Sequence, residues 1–451
     1  MHQTAHQGTR PLQDALGRPP GRRPRVALYG HDTCGLGHLR RNLALAAAVR
    51  SAPGRPDVLV LTGSPEAQRF ERPEGVELVV LPSVRKDADG RYRSGALDVP
   101  LADVVALRSA TAAGVLAAWE PDLLVVDKAP WGFQQELRGA LTRLRAGGRT
   151  RTVLGLRDVL DHPDAAAREW RRDGGDDALR AVYDEVWVYG DDRVHDVRTE
   201  LAPGTPAPAL GAPVRFLGYL AQGRRDAGAP PLPRHRPGTR TVLAGVGGGQ
   251  DGAALTRALL RTALPDGVEL VLLPGPFAPD GLRAELDAAA AARDDLHVVA
   301  FTGAAADWAA QADAVVCMGG YNTVAEVLAT GTPALVVPRT SPRREQEVRA
   351  RALAAHGHLD VLIAPGPERL SAWVAGALTR PRAARTGIAL DGLDAVRRRA
   401  GELLAGDPLT GDPLTGDPLT GDPLTGDLPA APALATVPAV LPDLAEVPRA
   451  C

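Results

Sequence analysis

Residues 317–338 read CMGGYNTVAEVLATGTPALVVP and join two apolar runs through a pair of glycines and one short helical segment. Gly319 and Gly320 follow the first run, and the segment after them carries a single carboxylate, Glu326, before Gly331 ends it. An apolar run, a glycine turn, an amphipathic segment and a second apolar run, in this order, predict a βαβ unit. Such units build parallel sheets covered by helices.

The same alternation extends in both directions along the chain. A first series of short apolar runs lies at 25–30, 57–63, 76–82, 122–127, 152–158, 185–190 and 214–220. A second series lies at 241–249, 268–275, 296–303, 312–320 and 333–338. Residues 221–238 between them are rich in Pro, Gly and Arg, which is typical of an interdomain linker. The sequence predicts an α/β fold of two doubly wound, Rossmann-like domains, 25–220 and 239–405.

Both ends of the chain have the composition of disordered tails. Residues 1–24 are polar and rich in Pro and Arg, without the apolar core of a secretory signal. Residues 406–451 contain four DPLTG repeats followed by Pro/Ala-rich sequence. One proline in every period prevents a helix or a sheet ladder, and the repeats lack bulk for a packed core.

Composition narrows the class of protein. The length of 451 residues favours two domains, and the net charge of −2 gives no reason to expect nucleic acid or an anionic membrane as partner. No apolar run is expected to reach the roughly 18–20 residues that span a bilayer. The three cysteines lie far apart, without zinc or redox spacing. We therefore expect a cytoplasmic protein without a structural metal.

The glycine pair suggests a ligand site. Ligands of open parallel sheets bind beyond the carboxyl ends of the strands, where Gly319 and Gly320 are predicted to lie. The following helix offers unpaired N–H groups to a phosphate, and Asn322 or Thr323 can cap it or bond a phosphate oxygen. Glu326, one turn further and expected to be exposed to the cleft, suits a ribose diol. The alternative is a tight turn followed by a solvated glutamate.

Two further segments strengthen the case for a ligand. The stretch GVGGGQDG, which begins at Gly245, also follows a predicted strand and opens a helix, so it is suited to a diphosphate. Residues 338–346 follow the strand after the Glu326 helix and supply cations for phosphate and hydrogen-bonding groups for sugar hydroxyls. The candidates from these two segments are Gly247, Gly248, Gly249, Arg339, Arg343, Glu345 and Gln346.

Together these motifs resemble the donor-binding signature of GT-B glycosyltransferases. The stretch is similar to the histidine-initiated box of plant UDP-sugar transferases, with Met318 in place of the histidine. It is closer to family 28, that of the peptidoglycan N-acetylglucosaminyltransferase, and most similar to a bacterial group of largely unassigned acceptor. The likeness implies two Rossmann-like domains facing across a cleft, and UDP as the usual nucleotide. It implies phosphate, ribose and sugar contacts at Gly319, Gly320, Asn322, Thr323, Glu326, Glu345 and Gln346.

The first predicted strand of the N-terminal half runs into YGHDTCGLGHLRR, residues 29–41. Gly35 and Gly37 break the chain, and His38 and Arg40 stand at the mouth of the next helix. This loop resembles the first glycine-rich loop of family 28, in which a histidine lies near the acceptor. The likeness makes His38 a candidate base or acceptor-positioning residue, since an ordinary imidazole accepts a proton near neutral pH. The alternative is a histidine that only caps or packs.

Two aspartates compete with His38 as the base. Asp127 and Asp158 each end a predicted strand on the cleft edge, and a structural pair with Arg157 is the alternative for Asp158. Trp131 and Phe133 after Asp127 form either a platform for an acceptor or ordinary core.

These features predict a glycosyltransferase that moves a hexosyl or N-acetylhexosaminyl group from a nucleoside-diphosphate sugar. The resemblance implies inversion, with the donor on the C-terminal domain and the acceptor across the cleft. The expected partners are the nucleotide sugar and a small-molecule, glycan or lipid-linked acceptor, with no nucleic acid, no cofactor and no metal. Peripheral membrane contact is left open, although nothing in the sequence supports it. A nucleotide-sugar 2-epimerase and a non-catalytic nucleotide-sugar-binding protein remain alternatives.

Overall fold

The computed structural model describes most of the chain. The described residues are 21–32, 37–86, 91–203, 210–221, 229–234, 236, 238–249 and 251–406. The predicted tails, apart from residues 21–24 and 406, lie outside them, as does Gly35 of the candidate acceptor loop. Much of the predicted linker also lies outside them.

The N-terminal half is built on a seven-stranded parallel sheet. Its strands are β1 (Arg25–Gly30), β2 (Asp57–Thr62), β3 (Val76–Val80), β6 (Leu123–Asp127), β7 (Arg151–Arg157), β8 (Glu185–Tyr189) and β9 (Val214–Phe216). A separate antiparallel hairpin pairs β4 (Val84–Lys86) with β5 (Tyr92–Ser94). The sheet order is β3-β2-β1-β6-β7-β8-β9. All seven strands coincide with predicted apolar runs, whose continuous hydrophobicity reflects burial on both faces of a parallel sheet.

Helices cover both faces of this sheet. They are α1 (Gly37–Arg50), α2 (Leu101–Trp119), α3 (Arg138–Gly147), α4 (Pro163–Arg172), α5 (Gly175–Val182) and α6 (Arg198–Leu201). Short 3₁₀ helices lie at Pro65–Arg69 and Phe133–Gln135.

The C-terminal half repeats the plan with a six-stranded parallel sheet. Its strands are β10 (Arg240–Gly245), β11 (Val268–Leu273), β12 (Leu296–Val298), β13 (Ala314–Cys317), β14 (Ala334–Val336) and β15 (Asp360–Val361), in the order β12-β11-β10-β13-β14-β15. Its helices are α7 (Ala253–Leu260), α8 (Asp280–Ala292), α9 (Ala305–Gln311), α10 (Tyr321–Leu328), α11 (Glu345–Ala355), α12 (Pro367–Ala377) and α13 (Gly392–Ala405). The predicted α/β class with two doubly wound sheets is confirmed.

The last helix, α13, packs against α1 of the N-terminal half. Buried residues of α13 such as Val396 and Leu403 belong to the same apolar cluster as Val26 and Leu45 from β1 and α1. The domain limits read from the sequence stay a prediction. The structure adds that the end of the predicted C-terminal domain contributes to the core under the first sheet.

Helix α2 differs from what the sequence was expected to contain. It is the one helix among the described residues that is long and apolar enough to cross a membrane by length and composition. The prediction that no apolar segment reaches that length is therefore wrong. Its buried residues Val104, Arg108, Ala112 and Leu116 form one stripe at four-residue spacing, and Arg108 pairs with the buried Glu136 at 2.6 Å. This stripe packs α2 onto the protein.

Candidate active site

The site lies where the strand order of each sheet reverses. In the first sheet β1 lies beside β6, and in the second sheet β10 lies beside β13. The connections that leave the carboxyl ends of such a pair diverge to opposite faces and leave a crevice for a ligand. His31 and α1 follow β1, Asp127 ends β6, and glycine-rich turns follow β10 and β13.

A cavity of about 440 Å³ opens between these two edges. Most candidate residues from the sequence line it: Gly37, His38, Arg40, Gly247, Gly248, Gly320, Asn322, Thr323, Glu326, Glu345 and Gln346. We call it the cleft cavity. Six described candidates do not line it, namely Asp127, Asp158, Gly249, Gly319, Arg339 and Arg343. The two halves of the predicted site are thus brought together.

The two glycines after β13 have different roles. A Cβ on Gly319 would lie 2.9 Å from the main-chain oxygen of Gln346, so this position is small because α11 packs against it. A Cβ on Gly320 would meet nothing within 4 Å. Gly320 is the N-cap of α10 and lines the cleft cavity, where the first N–H groups of that helix have no partner within the helix. Only Gly320 offers close approach to a ligand.

The turn after β10 shows the same division. Gly249 has a φ of +92°, and a Cβ there would lie 2.4 Å from the carbonyl oxygen of Pro274. Gly247 faces open space and, with Gly248, lines the cleft cavity. The tight packing of Gly249 therefore fixes a turn whose other glycines face the ligand space.

On the opposite wall His38 is held by a buried carboxylate. Its Nδ1 lies 2.5 Å from Oδ2 of Asp127, and the Arg41 guanidinium donates to both oxygens of Asp127 at 2.6 and 2.7 Å. An ionised carboxylate only accepts, so Nδ1 carries the proton of the neutral ring and Nε2 is the atom left to accept another. Asp127 therefore orients the His38 ring, with both of its own oxygens engaged.

The charges around this pair favour a neutral imidazole. Burial lowers the pKa of His38, although the Asp127 carboxylate opposes this shift. Burial would raise the pKa of Asp127, but Arg41 and then His38 outweigh it and hold that pKa well below its usual range. Asp127 thus stays ionised while His38 stays neutral near neutral pH, with Nε2 able to accept a proton as a general base requires.

Asp158 has a different environment. It is fully buried and paired with Arg349 of α11, with its Oδ1 2.7 Å from Nη2 of that guanidinium. Arg349 also donates to the carbonyl oxygen of Gly319 at 2.8 Å. The predicted alternative, a pair with Arg157, is replaced by this contact between the two halves. The geometry favours a structural role for Asp158.

Glu326 is not exposed to the cleft as expected. Only 5% of its surface is accessible, and its Oε1 accepts from Nη2 of Arg40 at 2.7 Å. It nevertheless lines the cleft cavity. Asn322, one turn earlier, donates to the carbonyl oxygen of Gly37 at 2.9 Å. Glu326 and Asn322, both candidates for binding the sugar donor, therefore also hold the two halves together, because α1 and α10 meet at this point.

The segment between β14 and α11 uses its charges within the protein. Arg339 pairs with Asp251 and Glu345 at 2.5 and 2.6 Å, and Arg343 reaches Glu169 of α4 at 3.0 Å. The amide oxygen of Gln346 accepts from the main-chain N–H of Gly319 and of Arg339. This geometry does not direct either arginine at the cleft cavity, whereas Glu345 and Gln346 do line it.

Arg157, at the end of β7, is a cation that the sequence analysis did not assign to the ligand. It lines the cleft cavity, and among the described residues its buried Nε has no hydrogen-bond partner. Burial, and then the cations Arg349 and Arg41, lower the pKa of Arg157 to about 10. A cation that has so little neighbouring negative charge is suited to an anionic ligand. Arg157 lies at the end of a predicted strand on the cleft edge, as Asp158 does, and this position was the signal in the sequence that could have identified it.

Trp131 and Phe133 are both buried and lie beside a separate cavity in the N-terminal half. In the described part of the chain no three His, Cys, Asp or Glu side chains cluster as a metal site would require.

Comparison with known proteins defines the class. Residues 268–364 match the glycosyltransferase family 28 C-terminal domain. The glycotransferase of kitacinnamycin superposes with a TM-score of 0.54 at 20% identity, over 85% of this chain and 97% of that one. A putative UDP-N-acetylglucosamine 2-epimerase from Listeria monocytogenes superposes with a TM-score of 0.53 at 13% identity, over 85% and 94%. The fold is GT-B, with a family 28-like domain in its C-terminal half.

One curated relative is the UDP-N-acetylglucosamine–N-acetylmuramyl-(pentapeptide) pyrophosphoryl-undecaprenol N-acetylglucosamine transferase of Burkholderia multivorans (strain ATCC 17616 / 249). It is 34% identical over 157 residues, which is 33% of this chain and 42% of the relative. The same transferase of Nocardia farcinica (strain IFM 10152) is 54% identical over 48 residues, 11% and 13% of the two chains. The chain spans less than half the length of these relatives.

Proposed function

We propose that the protein is a glycosyltransferase that moves a hexosyl or N-acetylhexosaminyl group from a nucleoside-diphosphate sugar to an acceptor hydroxyl. The observation that carries the proposal is the cleft cavity itself. One wall presents glycine turns and the N-terminus of α10, and the other presents His38 oriented by Asp127. The family 28-like domain that forms the first wall supports a nucleotide-sugar donor.

In this proposal the diphosphate lies against Gly320 and the first turn of α10, where helix N–H groups favour anions. Gly247 and Gly248 cover its other side, and Arg157 supplies positive charge from the N-terminal half. Glu326 holds the ribose diol while one of its oxygens still accepts from Arg40, because a carboxylate has about four acceptor sites. UDP is the expected nucleotide by likeness to the relatives.

The chemical step is a single displacement. The acceptor oxygen attacks the anomeric carbon, and its proton passes to Nε2 of His38. The bond from the anomeric carbon to the diphosphate oxygen breaks, and the nucleoside diphosphate leaves with the electron pair. Attack from the side opposite the leaving group inverts the anomeric carbon. The N-terminus of α10 and Arg157 stabilise the charge that develops on the leaving diphosphate, so the proposal contains neither a divalent cation nor a cofactor.

The test is a product analysis with UDP-N-acetylglucosamine and UDP-glucose, each with the purified protein. Free UDP that is formed by the wild type and lost in His38→Ala supports transfer, with water as the default acceptor. An isomerised donor would instead identify a 2-epimerase. If a nucleotide sugar binds but stays intact under all conditions, including with added acceptors, the protein only binds nucleotide sugars. That result would contradict the proposal.

A further inference from the structure

A second cavity, of about 550 Å³, lies in the N-terminal half beyond the carboxyl ends of β1, β6 and β7. Aromatic residues make up 4% of the chain, yet four of them line this one cavity: Tyr92, Trp131, Phe133 and Trp170. We call it the aromatic cavity. Its volume falls in the range of about 300–1,000 Å³ that encloses small-molecule ligands. A polymer or a lipid chain would extend well beyond it.

The aromatic cavity adjoins the proposed base. His31 lines the aromatic cavity and His38 lines the cleft cavity, and their ring centroids are 4.5 Å apart. The Phe133 ring lies nearly parallel to that of His31 with centroids 6.4 Å apart, and Tyr92 packs edge-on against Phe133 at 4.9 Å. A ring bound among these side chains would lie next to the histidine pair that separates the two cavities.

The backbone around the cavity is strained in one segment. Lys128, Gln134 and Gln135 have positive φ values of 66°, 49° and 62°, and all three line the cavity. Such conformations are sparsely populated by residues with a side chain, and they cluster at functional sites, ligand clamps among them. These backbone conformations shape the part of the cavity lining that follows β6.

The charged groups of the cavity pair with one another. Glu169 accepts from Arg343 at 3.0 Å and lies 3.5 Å from Nζ of Lys128, and Arg172 donates to Asp173 at 2.8 Å. These pairs occupy the charged groups, and the uncharged hydrogen-bonding side chains of the lining include His31, Tyr92, Gln134 and Gln135. The rings remain as the main contact surface, and Lys128 remains as a donor to one ligand oxygen.

We infer that the acceptor is a small planar aromatic molecule that bears a phenolic hydroxyl and binds in the aromatic cavity. This inference rests on the proposed transferase function. Flat rings suit the aromatic walls because offset and edge-on aromatic contacts are favourable. The hydroxyl would face His31, whose ring centroid lies 4.5 Å from that of the proposed base His38. An acceptor of this kind is neither a free sugar nor a lipid-linked glycan.

The test is equilibrium binding of three planar phenols, 7-hydroxycoumarin, 4-nitrophenol and quercetin, with methyl β-glucoside as the sugar comparator. We expect at least one phenol to bind and the glucoside not to compete with it. Tyr92→Ala should weaken binding about tenfold through loss of an aromatic contact, whereas Tyr92→Phe should stay within about twofold. Ala129→Leu should also weaken it by narrowing the cavity. Trp373→Phe, which alters an aromatic residue of α12 in the C-terminal half, is the matched control.

UDP affinity, measured on the same variants, separates this inference from the proposed function and reports that they are folded. Two outcomes with UDP binding intact would overturn the aromatic acceptor alone. In the first, no phenol binds at 1 mM. In the second, phenol affinity is unchanged in both Tyr92→Ala and Ala129→Leu. Tighter binding of the glucoside would overturn it as well. Phenol binding that follows the expected pattern without any UDP binding would support the aromatic cavity and count against the transferase.

Discussion

The two strand-order reversals of this molecule occupy equivalent positions in two similar sheets and carry opposite chemistry. At the β1/β6 edge the polar side chains hold one another: the buried Asp127 carboxylate accepts from His38 and from Arg41 at 2.5–2.7 Å. At the β10/β13 edge, Gly247 and Gly320 face open space. The first edge is suited to moving a proton and the second to accommodating a ligand against the backbone. The same architecture is thus divided by residue type into a reactive wall and a binding wall.

The largest effect should come from removing the proton acceptor of the reactive wall. His38→Ala should lower turnover by about 10²–10⁴, the usual contribution of a general base. Initial rates of UDP release at saturating donor measure this. Turnover within a few-fold of the wild type would mean that the reactive wall only positions the acceptor.

Next in size is the contrast between two aspartates that both look catalytic in the sequence. Asp158→Asn leaves Arg349 buried without its counter-charge and should cost about 3–5 kcal/mol of unfolding free energy. Turnover per folded molecule should change little. Replacing both partners, as Asp158→Leu with Arg349→Met, should recover most of that stability because the uncompensated charge is gone.

Asp127→Asn should differ by lowering turnover as well as stability, because the asparagine no longer orients His38 as a carboxylate does. Urea unfolding with rates measured well below the transition separates these effects. A severe loss of turnover in folded Asp158→Asn would show that Asp158 has a role in the chemistry.

Gly319 and Gly320 are adjacent on the binding wall, and the same substitution should affect stability at the first and ligand binding at the second. Gly319→Ala should destabilise the fold by about 1–3 kcal/mol, because its Cβ would press on the main chain of Gln346. Gly320→Ala should cost less than about 1 kcal/mol as an N-cap change, yet it should weaken UDP binding by placing a methyl group in the cleft cavity. Thermal unfolding and UDP titration of both variants check this. The reverse pattern would exchange the roles assigned to the two positions.

The smallest effect is a shift in pH dependence. The base acts when neutral, so kcat/KM should fall as pH drops through the pKa of His38. Burial lowers this pKa, which places the acidic limb below the ordinary imidazole value of about 6.5. The Asp127 carboxylate raises the pKa of His38, so Asp127→Asn should move the limb to still lower pH. A limb above pH 6.5, or one that Asp127→Asn moves upward, would contradict the assignment.

The sequence contained most of the fold and part of the site. Apolar runs located every strand of both sheets except the two-residue β15, and the glycine turns and His38 were found because they follow strand ends. The pairing of Asp158 with Arg349 was not predictable, since the two lie 191 positions apart and only the approach of the halves joins them. The same approach buries Glu326 against Arg40 and turns Arg343 toward Glu169. Arg157 was considered in the sequence only as an alternative partner of its neighbour Asp158, so its place in the cleft cavity was missed.

The central claim is that the nucleotide is held by the binding wall and the proton by the reactive wall. Calorimetric titration of UDP into the wild type, Glu326→Ala and His38→Ala tests it most directly. Loss of a charge-assisted bond of about 1.5–3 kcal/mol predicts a Kd raised about 10- to 150-fold in Glu326→Ala. The Kd of His38→Ala should stay within about twofold of the wild type. An unchanged Kd in Glu326→Ala, or an equal loss of affinity in His38→Ala, would contradict the division between the two walls.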